Sequence, residues 1–317
     1  MQIQSVREKP IISVILPVFN GGAYLKLSVE SVINQTLRNF EFLILDDCST
    51  DDSWDYLQSL NDERIKLYKN EKNKGLFFNL NALIMKTNSQ LIKLWAQDDI
   101  MYSNCLNGFV QLHSQFSSIG FSYSGRDIIN EKGEIKRQDF IDETPQIISS
   151  ELHARIAFYT GSIAGNIANV CINKKALDAV GLFNEEMKIS ADFDMWVRLA
   201  RCHSIAFIPD RLIQLRDHQA QLSRKEALYI NHVREDLEVY RYLLQYINPS
   251  IKKEGIVLMR NHKLVFYYTL MVKAFLKGSV REGYSFFKEL SSFDNFIIVS
   301  ICFLRAKLWK QKKPRFE

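Results

Sequence analysis

Phe42-Leu43-Ile44-Leu45-Asp46-Asp47 and Leu91-Ile92-Lys93-Leu94-Trp95-Ala96-Gln97-Asp98-Asp99 are two apolar runs that each end in a pair of aspartates. Short apolar runs that stop at abrupt polarity read as buried strands of a parallel sheet. Working outward, Ile11–Leu16 is another strand, stopped by Pro17, and Ile65–Tyr68 is a short one. Tyr24–Gln35 carries Leu25, Val29, Val32 and Ile33 on one helical stripe, and Phe77–Met85 reads as a helix. Ser49–Ser53 offers N-cap residues for a helix running to about Leu60. Strands and helices that alternate at this spacing imply right-handed crossovers and an α/β fold with a parallel sheet. Ligands of such sheets bind outside the carboxyl ends of the strands. Both acidic pairs therefore reach one sheet edge, where four carboxylates repel unless a cation or hydrogen-bond donors compensate.

Beyond Asp99 the pattern loosens. Ser103–Phe116 reads as a helix, Ile119–Tyr123 as a strand, and Asn130–Glu134 as a hairpin tip. Ala168–Ile172 is a strand, followed by a helix from Lys174 to Gly181. Asp192–Cys202 is an amphipathic helix with Met195, Trp196 and Leu199 inward, and Ile205–Ile208 a strand. From Lys225 the chain reads as helical and aromatic-rich. The expected domains are residues 1–224, an α/β body, and 225–317, a helical region.

Composition supports this division. The 317 residues carry a net charge of +5, but from Ile251 onward there are 14 Lys/Arg against 5 Asp/Glu, and before it 27 against 31. The tail is thus a basic object attached to an acidic body. Five scattered cysteines with no CxxC spacing read as free thiols in a reducing cytosol. Met1–Pro10 is polar and charged, unlike a secretory leader. No apolar stretch reaches the roughly 18 residues of a spanning helix. The nearest, Phe293–Leu304, contains Asp294.

Ile12–Asn20, Ser31–Thr36, Asp46–Ser53 and Gln97-Asp98-Asp99, in this order, resemble the family 2 glycosyltransferases. The resemblance covers about residues 10–220. It implies a GT-A fold, an inverting mechanism, a nucleotide-sugar donor and a divalent metal, Mn²⁺ or Mg²⁺. By the match, Pro17 and Phe19 border the nucleotide, with Phe19 stacking on a pyrimidine, and Asp47 accepts the uracil N3–H. Asp46 is left to turn chemistry. Asp98 contacts ribose and Asp99 binds the metal. The common Asp-x-Asp-Asp pattern is incomplete here, because Ala96 and Gln97 precede the pair. Asn73-Lys74-Gly75 and Asn81 match a family stretch whose arginine is replaced by Leu80, and read as structural.

Ser190–Arg198 resembles the family segment that carries the general base. A carboxylate there can take the proton of an attacking hydroxyl. Asp192, at the start of its helix, is the expected base, with Asp194 as the alternative. Leu215-Arg216-Asp217-His218, with Ser223 after it, resembles the family's Arg-x-His segment. Arg216 would neutralise leaving-group charge, and His218 would reach the metal or the diphosphate. Gly165 and Asn166 match an acceptor loop.

The implied acceptor is a surface glycan such as lipopolysaccharide, capsule or exopolysaccharide, free or lipid-linked. Phe266-Tyr267-Tyr268, Phe286-Phe287 and the stretch Phe293–Trp309, closed by Lys310, Lys312, Lys313 and Arg315, suit an interfacial helix on anionic lipid. The expected location is cytoplasmic, on the inner face of the membrane. A helical bundle against the body or a second copy of the chain is the alternative for this tail. Nucleic acid is not an expected partner, since the excess charge is confined to the tail and no recognition motif accompanies it. Two rival functions remain open: a non-catalytic nucleotide-sugar or glycan-binding protein, and a nucleotidyltransferase. The latter lacks support, since Asn20–Tyr24 has no basic residue after the first strand.

Overall fold

The computed structural model describes residues 9–137, 144–219, 221 and 226–308. Ser223 and the terminal Trp309, Lys310, Lys312, Lys313 and Arg315 lie outside them. The described strands are β1 (Ile12–Val18), β2 (Phe40–Asp46), β3 (Ile65–Lys69), β4 (Leu91–Leu94), β5 (Ile100–Met101), β6 (Ile119–Ile129), β7 (Ile135–Arg137), β8 (Ile147–Ile148), β9 (Val170–Asn173) and β10 (Ser204–Arg216). The helices are α1 (Gly22–Ile33), α2 (Ser53–Gln58), α3 (Leu76–Lys86), α4 (Cys105–Gln115), α5 (Ser150–Thr160), α6 (Leu177–Val180), α7 (Ala191–Cys202), α8 (Tyr229–Tyr246), α9 (Pro249–Asn261), α10 (Lys263–Leu276), α11 (Val280–Phe293) and α12 (Phe296–Leu308). The chain forms two compact units, one from Met1–Asp142, Ala164–Phe183 and Cys202–His218, the other from Glu143–Ile163, Asn184–Arg201 and Gln219–Glu317.

The first unit is built on a mixed, mostly parallel sheet with strand order β3-β2-β1-β4-β9-β6-β10-β5, and β7 pairs with β6. Every residue of β1 and β2 is buried, as continuous apolar runs covered on both faces require. Since β2 and β4 flank β1 on opposite sides, the strand order reverses at β1, and a ligand crevice is expected beyond the ends of β1 and β4. Short β9 runs antiparallel to both β4 and β6, so the sheet is not wholly parallel. Strands β6 and β10 again run with β1, and β10 therefore ends at the same edge as β1, β2 and β4.

Two strand limits differ from expectation. β1 continues through Pro17 to Val18. The pairing of β1 with β4 ends at Ile15–Leu94, and the Trp95 N–H then donates to Ile15 O at 2.9 Å. The missing N–H of Pro17 falls beyond that point, where no ladder bond needs it. β4 stops at Leu94 rather than Ala96, because the chain is drawn onto α1. The Trp95 indole N–H donates to Ser28 Oγ at 2.8 Å, and that hydroxyl donates to Ala96 O at 2.7 Å. β6 and β10 are longer than the sequence suggests, and α5, β5, β7 and β8 are additional elements.

The second unit is mainly helical, and α8 to α12 follow one another from Tyr229 to Leu308. Among the described residues, no helix is long and apolar enough to cross a membrane.

Candidate active site

The end of β1 is shaped by its neighbours. Phe19 donates its N–H to Gln97 Oε1 at 2.9 Å and accepts from Gln97 Nε2 at 3.1 Å, so one carboxamide ties the ends of β1 and β4 together. The Phe19 ring is 44% exposed, unusual for a large aromatic beside a core strand. Asn20 holds a positive φ of 49°, a conformation Asn tolerates, and its Oδ1 accepts the Thr50 N–H at 2.8 Å.

Residues Ser49–Ser53 act differently from expectation. Asp52 at the start of α2 makes no side-chain cap. Ser49 Oγ, Ser53 Oγ and Asp51 Oδ2 instead accept the N–H groups of Asn20, Gly21 and Gly22. They satisfy amides at the start of α1, and Asp51 Oδ1 also takes the Ser53 N–H at 3.1 Å. The loops after β1 and β2 thereby form one hydrogen-bonded rim.

Asp46 accepts the Ser49 N–H at 3.1 Å, as turn chemistry would have it. Asp47 is buried, and its Oδ1 accepts from Asn70 Nδ2 at 2.7 Å and the Lys74 N–H at 2.8 Å. Oδ2 accepts the Gly75 N–H at 2.9 Å. Gly75 has φ +89°, which lets two successive amides face the same carboxylate. With three donors on a group that has about four acceptor sites, Oδ2 keeps room for one more N–H.

The acid pair after β4 is held between β4 and β5, and β5 pairs with Ile213–Gln214 of β10. Asp99 is 0% exposed. Its Oδ1 accepts the Arg216 N–H at 2.8 Å, and its Oδ2 has no partner among the described residues. Burial and the adjacent Asp98 carboxylate push the Asp99 carboxyl well above the usual carboxylate range, against the Arg216 N–H and the charges of Lys93 and Arg216. Asp98 Oδ2 meets His218 Nε2 at 2.9 Å, and the His218 ring lies 5.1 Å from Tyr24. Buried Arg216 donates from Nε to Asp98 O and from Nη1 to the carbonyls of Asn130 and Glu131. Its guanidinium stacks 4.5 Å over Tyr24. Arg216 thus ties the acid turn to the hairpin tip while keeping its charge beside both aspartates.

Lys93 escaped the sequence reading. It is fully buried in β4, and its Nζ donates to Leu94 O at 3.1 Å and to Ala168 O. Burial lowers its pKa, while Asp99 and the thiols of Cys105 and Cys171 act to keep the ammonium charged. A lysine inside an apolar strand beside an acid pair was the available signal.

An unpartnered, buried carboxylate oxygen fits a divalent cation, whose charge would offset the repulsion between Asp98 and Asp99. No cluster of three or more His, Cys, Asp or Glu with metal-holding geometry occurs among the described residues. Mg²⁺ and Mn²⁺ take one or two protein carboxylates and leave the other positions to water and phosphate.

In the second unit, Asp192 lies in the first turn of α7 with its side chain partly buried. Its Oδ1 accepts the Phe193 N–H at 2.7 Å. Burial pushes its carboxyl up to about 7, opposed by that N–H and reinforced by the Asp236 charge. The Ser162 hydroxyl favours the Asp192 anion without the geometry of a full hydrogen bond. Asp194 is engaged elsewhere, since its Oδ2 pairs with Arg198 Nη2 at 2.7 Å and Nε at 2.8 Å. In the first unit, Asn166 caps the short helix before β9 through the Ala168 N–H at 2.8 Å, and Gly165 lies against the Arg126 guanidinium.

Comparison with known proteins identifies the family and the fold. Residues 13–175 match the family described as Glycosyl transferase family 2. The uncharacterized glycosyltransferase RP339 of Rickettsia prowazekii is 26% identical over 87% of this chain and 81% of its own length. WcaA of Escherichia coli K12, named a putative colanic acid biosynthesis glycosyl transferase, is 29% identical over 61% of this chain and 67% of its own. Among solved structures, S. aureus TarS 1–349 in complex with UDP-GlcNAc superposes with TM-score 0.71 at 18% identity, covering 89% of this chain and 80% of that one. The mannosyltransferase PcManGT from Pyrobaculum calidifontis, in complex with GDP-Man and Mn²⁺, gives TM-score 0.60 at 12% identity, covering 96% and 88%. The two structures share the GT-A fold with this chain.

Proposed function

The chain belongs to glycosyltransferase family 2, and from that premise we propose that it is an inverting, metal-dependent enzyme that moves a sugar from a UDP-sugar to a hydroxyl of a surface glycan. The observation that carries this reading is Asp99, buried, with Oδ1 fixed by Arg216 and Oδ2 unpartnered. Phe19, exposed beyond Pro17 at the end of β1, stacks on the uracil, and Asp47 Oδ2 accepts its N3–H. Asp98, steadied by His218, takes a ribose hydroxyl. Asp99 holds Mn²⁺ or Mg²⁺, which when bound supplies Lewis-acid neutralisation of the diphosphate charge. Arg216 adds positive charge and His218 a hydrogen bond for the departing diphosphate.

Asp192 takes the proton of the acceptor hydroxyl as that oxygen bonds to C1 of the sugar and the C1–O bond to the diphosphate breaks. Attack opposite to the leaving group inverts C1. A base whose carboxyl is raised to about 7 suits this step, because general-base efficiency peaks when the pKa lies near the working pH. Asp194 is the weaker candidate, since its carboxylate is paired with Arg198.

In this reading catalysis belongs to residues 1–224, and 225–317 docks on the anionic inner face of the cell membrane, where a lipid-linked glycan would be met. Support comes from α12, which exposes Ile297, Ile298, Ile301, Leu304 and Leu308 and carries Arg305 and Lys307 in its last turn. The colanic acid role in WcaA's name supports a polysaccharide acceptor. The test is UDP release from a panel of UDP-sugars with Mn²⁺. Full turnover in both Asp99→Ala and Asp192→Ala would refute the assignment.

A further inference from the structure

The loop that leads into α7 is gripped by two adjacent carboxylates of α8. Glu235 Oε1 accepts the Lys188 N–H, and Oε2 accepts those of Ile189 and Ser190, each at 2.9 Å. Asp236 Oδ1 accepts the Ser190 hydroxyl at 2.6 Å, and Oδ2 accepts the Tyr267 hydroxyl from α10. Three consecutive backbone donors on one carboxylate, and a fourth bond one residue on, fix the chain immediately before Asp192. Satisfying these amides needs acceptors only. Two buried neighbouring anions cost desolvation that neutral acceptors would avoid.

We propose that Glu235 and Asp236 are positioning residues for Asp192: Glu235 fixes the backbone from which the base is presented, and Asp236, tied to the same loop through Ser190, places a second carboxylate on the segment that leads into the base. The inference rests on Asp192 being the general base. The groups around Asp236 are few. On its own helix, His232 Nε2 lies 3.4 Å away, Glu235 is adjacent in sequence, and Tyr240 feels its charge. From α10 come Tyr267 and Lys263, and from α7 Asp192. Burial and the Asp236 charge hold Tyr240 and Tyr267 well above their ordinary values, so both stay neutral donors. Burial lowers Lys263, while Asp236 opposes that shift. Repulsion from Asp236 adds to burial in raising Asp192.

The test is a carbon-13 carboxyl NMR titration of the full chain labelled at aspartate, with the Asp192 signal identified by its loss in Asp192→Asn. In Asp236→Asn and Asp236→Ser the Asp192 midpoint is expected to fall by about one pH unit, a tenfold change in proton affinity. An unmoved midpoint in a variant that melts cooperatively overturns the electrostatic role. Glu235→Gln and Ser190→Ala leave the Asp236 charge in place. They are expected to keep the midpoint and to lower kcat roughly tenfold at unchanged donor KM, through misplacement of the base. Unchanged kcat in both overturns the positioning role. The titration needs no turnover, so it stays informative if Asp192→Asn proves active and the base assignment itself fails.

Discussion

Asp99 Oδ1 accepts the backbone N–H of Arg216 at 2.8 Å, and Asp99 Oδ2, buried beside it, has no donor among the described residues. One oxygen is spent on tying the acid turn to Arg216 and the other is left over. An unmet buried acceptor costs about 1–3 kcal/mol. Burial and the Asp98 charge add to that cost, and a cation bound there would offset it.

Phe19 presents its ring outward while Gln97 holds its backbone from both sides. Phe19→Ala should weaken UDP binding by ~1–3 kcal/mol, about 5- to 150-fold, the range for loss of a base–aromatic stack. Thermal stability should change little, because the ring is half exposed. Gln97→Ala keeps the ring but frees its backbone, and should weaken UDP less than Phe19→Ala does. Calorimetric UDP titration with Mn²⁺ checks both.

Asp192 carries a carboxyl raised to about 7 by burial, so its base form is lost as pH falls through that value. Turnover should drop about tenfold per unit below pH 7, and Asp192→Asn should lose transfer while still binding UDP. The stability sign follows from the same shift. A carboxyl raised in the folded state destabilises the fold as pH climbs from its unfolded value, near 3.9, toward 7. Asp192→Asn should therefore melt above the native chain at pH 8, and the margin should vanish near pH 4. Paired melts at the two pH values decide it.

Ser28 accepts the Trp95 indole N–H and donates its own hydroxyl to Ala96 O, which sets the path of the chain into Gln97-Asp98-Asp99. Ser28→Ala strands the buried Trp95 indole N–H and the part-buried Ala96 carbonyl, and should cost ~1–3 kcal/mol in urea unfolding. It should also raise the Mn²⁺ concentration needed for half-maximal UDP release.

Much of this was legible because strand ends are loud in sequence: an apolar run that breaks into Asp-Asp marks both the element and the sheet edge. The direction of a strand is quiet. Val170–Asn173 reads the same whether it runs with its neighbours or against them, so antiparallel β9 was not foreseen. Pro17 looked like a stop because its missing N–H matters only where a neighbouring strand still pairs, and β4 has ended by then. Ser49, Asp51 and Ser53 have cap chemistry in sequence, but which amides they meet is a tertiary fact, and three of them lie in the turn that enters α1. For α5 the local signal is present in the sequence: Ser149 caps it through the Leu152 N–H at 3.2 Å. The acids of α8 gave no such signal, since Glu235 and Asp236 look like an ordinary polar face until the 188–190 loop folds onto them.

The last helix exposes Ile297 at 71% and Leu308 at 72%. Ile301→Asp with Leu304→Asp should abolish co-sedimentation with phosphatidylglycerol vesicles while leaving UDP release in solution intact. Native chain that stays in the supernatant at low salt, and elutes as a dimer that the double variant breaks, would assign this face to a second copy instead.

The most direct test of metal-dependent donor binding at Asp99 is calorimetric titration of UDP into the native chain and into Asp99→Ala, each with Mn²⁺ and with EDTA. The native chain should bind UDP at least tenfold more tightly with Mn²⁺ than with EDTA, and Asp99→Ala should show the weak, metal-independent value in both. Equal affinity with Mn²⁺ and EDTA in the native chain, or a full Mn²⁺ effect retained in Asp99→Ala, would contradict it.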